Sequence, residues 1–219
     1  MRIHLKLSRS KKPIPFNYQS YLTGAVHKWI GYDNEHHNKP SLYSFSWLQN
    51  IDVRKEGIQT NAESSFFISS YDEDIVRTII NGIMSDSSVF FGVSVSEVQL
   101  MNTPVFSSFE SFAVASPVFI KRRHEGREVH IPFNDPDSGV FLTETLQKKL
   151  RLAGISDENV RVSFDNEYTS ARTKVIYYKD IGNKANICPV MINGTPEQIA
   201  FAWNVGVGNS TGIGFGALK

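Results

Sequence analysis

Trp203-Asn204-Val205-Gly206-Val207-Gly208-Asn209-Ser210-Thr211-Gly212-Ile213-Gly214-Phe215-Gly216 stands near the end of the sequence, its glycines alternating with apolar residues around a polar Asn-Ser-Thr tip. Glycine adopts positive φ without penalty and lets a ligand approach the backbone. Successive N–H groups in such a segment can cradle phosphate oxygens. A dinucleotide-binding fingerprint would need a strand before the glycines and a helix after them. Here a helix comes first: Thr195-Pro196-Glu197 places an N-cap residue before a proline at the first helical position, which predicts a helix over about 196–204. The phosphate-binding loop of nucleotide triphosphatases is excluded too, because no Gly-Lys-Ser/Thr occurs. The plain alternative is a glycine-rich turn joining the last helix to a short final strand.

Working back from that segment, residues 114–120 read as a strand and 121–131 as a hairpin turning at Glu125-Gly126. A helix starts at Ser138 or Thr143 and runs to about Leu152, and strands follow over 160–164, 172–178 and 186–192. The first half shows the same order. Residues 2–7 alternate as a strand, and Asn17 caps a helix over about 18–30 that Gly31 stops. Strands are expected over 41–48 and 64–70, a helix opens at Asp72 and Asp74, and a strand starts at 89–95 and continues past a bulge to Leu100. The expected fold is α+β: two tandem ferredoxin-like βαββαβ domains, 1–108 and 109–219, the second carrying the basic hairpin and the glycine-rich loop.

The 219 residues are enough for two such domains of about 100 each. With 41% hydrophobic residues the chain can build ordinary cores, yet no stretch approaches the roughly 18 apolar residues of a membrane span. The N-terminus alternates polar and apolar residues and lacks a signal-peptide core, so a cytoplasmic protein is expected, with no membrane partner. The single cysteine, Cys188, excludes an internal disulfide and a thiolate metal site, and its surroundings Ile187 and Val190 read as core. A net charge of +1 argues against a uniformly basic surface. The cations are clustered, however: Lys6, Arg9, Lys11 and Lys12; then Lys121, Arg122, Arg123 and Arg127; then Lys148, Lys149 and Arg151 at a helix end. Such local patches can hold phosphates whatever the total charge.

The glycine segment resembles the C-terminal signature of the repeat-associated RNA-binding (RAMP) superfamily linked to CRISPR loci. The whole chain resembles one branch of it, the CRISPR-associated endoribonucleases that process repeat (precursor) RNA. Pro15-Phe16-Asn17-Tyr18-Gln19-Ser20-Tyr21-Leu22 is similar to the start of that family's first helix. Leu42-Tyr43-Ser44-Phe45-Ser46 is similar to its next strand, and Ala115-Ser116-Pro117-Val118 to the opening of its second domain. The resemblance implies CRISPR repeat RNA as substrate, no cofactor and no catalytic metal. It also implies cleavage by the 2′-OH to a 2′,3′-cyclic phosphate and a 5′-OH. A CRISPR effector complex and a second copy of the chain are further candidate partners. A non-cleaving RNA-binding subunit of such a complex is the alternative.

Cleavage by the 2′-OH needs a base for the 2′ proton and an acid for the leaving 5′ oxygen, and histidine serves both roles. Six are present: His4, His27, His36, His37, His124 and His130. His4 lies in a strand and reads as structural. His124 and His130 belong to the basic hairpin. His27 is late on the first helix, with His36 and His37 in the polar segment that follows. The resemblance puts the cutting residues at this helix end and loop, which gives His27 together with His37 or His36. Lys39 matches a lysine that stabilises the charged phosphate. RNA-binding candidates are Lys121, Arg122, Arg123 and Arg127, and Gly206, Gly208, Asn209, Ser210, Gly212, Gly214 and Gly216 of the loop. Asp33, Glu35, His36 and His37 offer metal-ligand types, but adjacent histidines rarely converge on one ion and no HExxH or Cys/His spacing occurs.

Overall fold

Strict alternation makes Arg2–Leu7 the central strand (β1) of the first half, with Ile3, Leu5 and Leu7 buried on one face. The computed structural model describes residues 1–31 and 40–219. Helix α1, Gln19–Ile30, follows; Leu22, Ala25, Val26, Trp29 and Ile30 form its buried stripe, and Gly31 ends it at φ 92°. Its N-cap is Tyr18 without a side-chain bond, not Asn17 as expected, and Tyr21 lies off the apolar stripe, 48% exposed. Strands β2 (Tyr43–Phe45), β3 (Asp52–Arg54), β4 (Gly57–Gln59) and β5 (Ser65–Ser70) precede helix α2, Glu73–Ser85. Asp72 caps α2 by accepting from the Asp74 N–H. Strands β6 (Ser88–Phe90) and β7 (Val93–Met101) complete the half. The sheet order is β2-β5-β1-β7-β6, with β1 antiparallel to both β5 and β7. Both helices bury their stripes with Ile3, Leu5, Phe45, Phe66 and Ile68 in one core.

The second half runs β8 (Phe109–Phe112), β9 (Val118–Phe119), β10 (Lys121–His124), β11 (Arg127–His130) and helix α3 (Ser138–Leu152). Strands β12 (Arg161–Phe164), β13 (Arg172–Tyr178), β14 (Ile181–Ile187) and β15 (Val190–Asn193) then lead to helix α4, Pro196–Val205. Thr195 and Gln198 form a reciprocal capping box on α4, and Pro196 occupies its first turn. Two three-stranded sheets result, β12-β15-β8 and β13-β14-β9. Leu142, Leu146 and Leu150 of α3 and Ile199 and Ala202 of α4 pack with Val162, Phe164, Val190 and Ile192 in a second core.

Several expected strands differ, each for a local reason. The expected strand 89–100 is a hairpin, because Phe91 and Gly92 both take positive φ, 48° and 76°, and reverse the chain. The strand 186–192 is interrupted at Cys188-Pro189, where proline has no N–H for the ladder. The strand 41–48 shortens to β2, because the Trp47 N–H donates to Ala115 in the second half. Of the strand 114–120 only Val118–Phe119 and an isolated bridge at Val114 remain, and β8 lies wholly before the expected span. The final strand is one bridge, Val114 to Leu218. The hairpin of β3 and β4 lies where no element was expected.

The halves meet across the face of the first sheet that α1 and α2 leave free. The buried Arg2 guanidinium lies between the rings of Phe67 and Trp203, 3.8 and 3.4 Å from their centroids. It donates to Ser69 Oγ (2.6 Å) and to the carbonyls of Trp203 (3.2 Å) and Leu218 (2.8 Å). Burial pushes the guanidinium down to about 9. Tyr71 meets Phe201 edge-on. A small third cluster, Phe119, Ile176, Ala185 and Phe215 with Trp47 and Ile213, fills the seam beside the glycine segment.

Candidate active site

The glycine segment runs along this seam. Its own backbone closes it at the base: the Val207 N–H donates to Gly216 O at 2.9 Å. The Asn209 N–H donates to Phe119 O (2.7 Å) and the Gly216 N–H to Pro117 O (2.9 Å). Residues Thr211–Ile213 make one 3₁₀ turn, with Gly214 at φ 87° behind it. Gly206, Gly208, Gly212, Gly214 and Gly216 are buried, while Asn209 and Ser210 stay partly exposed. The N–H groups of Val207, Asn209, Ile213, Gly214 and Gly216 are each taken up by a backbone carbonyl. The glycines permit close packing. A Cβ on Gly212 would collide with Ser41 Oγ and stand 3.0 Å from the Tyr43 hydroxyl, and one on Gly214 would lie 2.8 Å from the Phe45 ring.

His27 lies on the edge of α1 that faces this turn. Its Nε2 is 2.9 Å from the Gly212 carbonyl oxygen. A carbonyl only accepts, so Nε2 carries the hydrogen and Nδ1 is the ring's acceptor in the neutral state. Thr23, one turn earlier, is 3.3 Å from Ile213 O, and the Tyr43 hydroxyl also donates to Gly212 O at 3.3 Å. Burial pushes the Tyr43 phenol up to about 12, so it remains a donor. The chain leaves α1 at Gly31 and is described again from Pro40, next to Ser41 against Gly212. His36, His37 and Lys39 lie outside the described residues.

Beside the loop is a cleft of about 630 Å³ lined by Ser41, Lys121, Arg122, Glu144, Lys148 and residues 208–211, with Lys149 in its wall. The basic hairpin is fastened to the loop there: the Lys121 N–H donates to Asn209 Oδ1 at 2.9 Å. Arg122 bonds Phe141 O and Glu144, and lies over the Phe141 ring. Lys121 pairs with Glu128 at 3.0 Å. Arg123 and Arg127 point to solvent near the hairpin tip, where Glu125 and Gly126 take positive φ as the turn requires. His124 is exposed; His130 bonds Glu128 and accepts from the Lys184 N–H. His4 is half-buried beside Phe67, where burial lowers its pKa. The Cys188 thiol is buried and pushed up to about 11. Among the described residues no three His, Cys, Asp or Glu side chains converge, and no helix is long and apolar enough to cross a membrane.

Tyr43, Ser41, Lys148 and Lys149 were not singled out as site residues from sequence. Lys148 and Lys149 were legible as part of a basic run, and Lys149 falls at helical spacing from Leu142 and Leu146, a signal that it points inward. Gly208-Asn209-Ser210-Thr211-Gly212 also spells Gly-x-Ser-x-Gly. The strand–turn–helix setting of a nucleophile elbow is absent: α4 precedes it and only a 3₁₀ turn follows.

A family model for the C-terminal part of CRISPR-associated protein Cas6 matches residues 101–219, and one for its N-terminal part matches residues 13–101. The CRISPR-associated endoribonuclease Cas6 1 of Methanocaldococcus jannaschii is 26% identical, over all of this chain and 92% of that protein. A CRISPR-associated endoribonuclease Cas6 of Pyrococcus furiosus is 21% identical, over 94% of this chain and 83% of its own length. Among solved structures, one from work on a Cas6-related gene of Pyrococcus furiosus superposes with a TM-score of 0.85 at 21% identity, covering all of this chain and 97% of that one. A RAMP protein described as binding different RNA substrates superposes with a TM-score of 0.82 at 19% identity, over all of this chain and 98% of that one. At these identities the structural likeness establishes the shared fold.

Proposed function

This chain belongs to the Cas6 family of CRISPR-associated proteins, and from that premise we propose that it is an endoribonuclease that cuts CRISPR precursor RNA within its repeats, without a catalytic metal. The observation that carries this reading is the contact between His27 Nε2 and Gly212 O, beside a cleft lined with cations. The Gly212 carbonyl fixes the ring's orientation and leaves Nδ1 to take a proton. The 2′-oxygen of the nucleotide before the cut attacks the phosphorus, and its proton passes to one histidine. The bond from phosphorus to the 5′-oxygen breaks, and that oxygen leaves with a proton from a second acid. The products are a 2′,3′-cyclic phosphate and a 5′-OH. His37 or His36 is the partner histidine, and Lys39 offsets the phosphorane's charge; their support is the family resemblance and their place in the chain between His27 and Ser41.

The RNA backbone lies along the cleft, against Lys121, Arg122, Lys148, Asn209 and Ser210, with Arg123 and Arg127 reaching a stem beyond it. A-form RNA is read mainly through phosphates and shape, and guanidinium groups suit that task. The glycines shape this surface from below. The division near residue 108 and the ferredoxin-like character of both halves belong to the same reading. Support comes from the order β2-β5-β1-β7 in the first sheet, which places the second, third, first and fourth strands of a βαββαβ unit side by side. The order β12-β15-β8, with Leu218 bridged to Val114, follows a similar scheme.

Incubation of the protein with end-labelled repeat RNA in excess EDTA tests the reading. One cut within each repeat and a cyclic phosphate terminus are expected. Binding without a cut would assign the chain to RNA carriage, and loss of cutting on chelation with recovery on added Mg²⁺ would overturn the metal-free chemistry.

A further inference from the structure

Lys149 is 2% exposed, and no carboxylate pairs with it among the described residues. It sits on α3 next to Leu150, on the apolar face. A methionine or leucine there would fill the same space without desolvating a cation, so the charge needs a reason. Its ammonium supplies one through three acceptors. Nζ donates to Val205 O (3.0 Å), Gly206 O (3.3 Å) and Thr211 Oγ1 (2.9 Å). The first two are at the end of α4, where carbonyls lack helical partners and the helix dipole favours a cation. The third opens the 3₁₀ turn whose next residue, Gly212, holds His27. One cation thus ties the entry of the glycine segment to its tip, and the tip to the histidine.

We propose that Lys149 is a positioning residue of the active site, fastening the glycine segment from inside so that the Gly212 carbonyl fixes the His27 ring in the Nε2–H form. The proposal rests on the cleavage reading only for its effect on rate; the ring orientation is a property of the free protein. Thr211 is the relay, and its replacement by valine keeps the shape while removing the acceptor. Burial lowers the Lys149 pKa to about 7, as expected for an ammonium held away from water.

The test compares wild type, Lys149→Met and Thr211→Val as full-length chains by two readouts. Nitrogen NMR of histidine-labelled protein reports the His27 tautomer without RNA. Wild type is expected to show the Nε2–H form, and both variants a mixture of tautomers. Single-turnover cleavage of repeat RNA is expected to lose about tenfold or more in maximal rate in Lys149→Met, because small misplacements of a reacting group are costly, with the half-saturating RNA concentration unchanged within about twofold. A purely structural lysine would leave the tautomer alone, and an RNA-contacting one would move half-saturation. A retained Nε2–H signal in both variants, or a loss confined to half-saturation, overturns the proposal. If Lys149→Met does not fold, Thr211→Val decides by the same two measurements. Should wild type cut no RNA, the cleavage reading falls while the tautomer still decides the positioning claim.

Discussion

His27 donates a hydrogen bond from Nε2–H to a carbonyl 185 positions away in sequence, so its ring is held by the second half of the chain. On the proposed cleavage chemistry, His27→Ala should slow single-turnover cleavage by about 10²–10⁴ while RNA affinity stays within about twofold. Parallel cleavage and filter-binding assays check this, and a wild-type rate would move the active site elsewhere. Lys149 gives a prediction of a different kind. Its ammonium has an ordinary value of 10.5 and is pushed to about 7 in the fold. Between those pH values the unfolded chain holds a proton that the folded chain lacks, so this lysine makes stability rise with pH in that window. Its burial costs most below pH 7. The slope is on the order of 1.4 kcal/mol per pH unit for one proton. Urea denaturation of wild type should therefore gain on Lys149→Met from pH 7 to 10. Lys121, Arg122, Glu144 and Lys148 face the same cleft in both proteins and cancel in the difference; parallel profiles would contradict the depressed pKa. At this scale the sequence exposed residue types and periodicity, and so the inward place of Lys149 could be read. The partners of His27 could not, because nothing local relates residue 27 to residue 212.

The glycine segment and the basic hairpin act as elements. Gly214 has φ 87° and the Phe45 ring close by, so Gly214→Val adds a left-handed β-branched residue and an overpacked contact. A stability loss of about 2–5 kcal/mol is expected in urea denaturation, and a change under about 0.5 kcal/mol would mean that the loop is loosely packed. For the hairpin, replacing Lys121, Arg122, Arg123 and Arg127 with alanine should weaken repeat-RNA binding and flatten its dependence on salt. An unchanged salt slope would place the RNA on another surface. Element boundaries were legible where a residue carries the geometry by itself. Glu125-Gly126 announced a turn, and Thr195-Pro196 a helix start. Lys179-Asp180 reverses the chain at φ 47° and 64° without a glycine, and so the hairpin of β13 and β14 gave no such sign. The break at Cys188-Pro189 needed only the missing N–H of proline, a signal outweighed by the apolar residues on both sides.

Across the whole molecule, helices α1 to α4 and the strands beside them were written in the hydrophobic periods, while the β3–β4 hairpin, the strand β8 and the seam between the halves were not. Arg2 illustrates why. In sequence it is one more polar residue of an alternating strand, and its stacking partners Phe67 and Trp203 come from both halves. Arg2→Ala should cost on the order of 2–4 kcal/mol of stability, since it removes the stack and leaves the Trp203 and Leu218 carbonyls with a donor fewer. Thermal or urea unfolding measures this, and a neutral result would mean that the halves are held by apolar packing alone. The same seam carries His27, the glycine segment and the cationic cleft, so the proposed active site draws on both halves. The most direct test of that site's chemistry is single-turnover cleavage, in excess EDTA, of repeat RNA carrying a single 2′-deoxy nucleotide immediately 5′ of the cut. Unmodified RNA should be cut to a 2′,3′-cyclic phosphate, and the deoxy RNA should be bound with equal affinity but left whole; cleavage of the deoxy RNA would show that water, not the 2′-oxygen, is the nucleophile and would contradict the account.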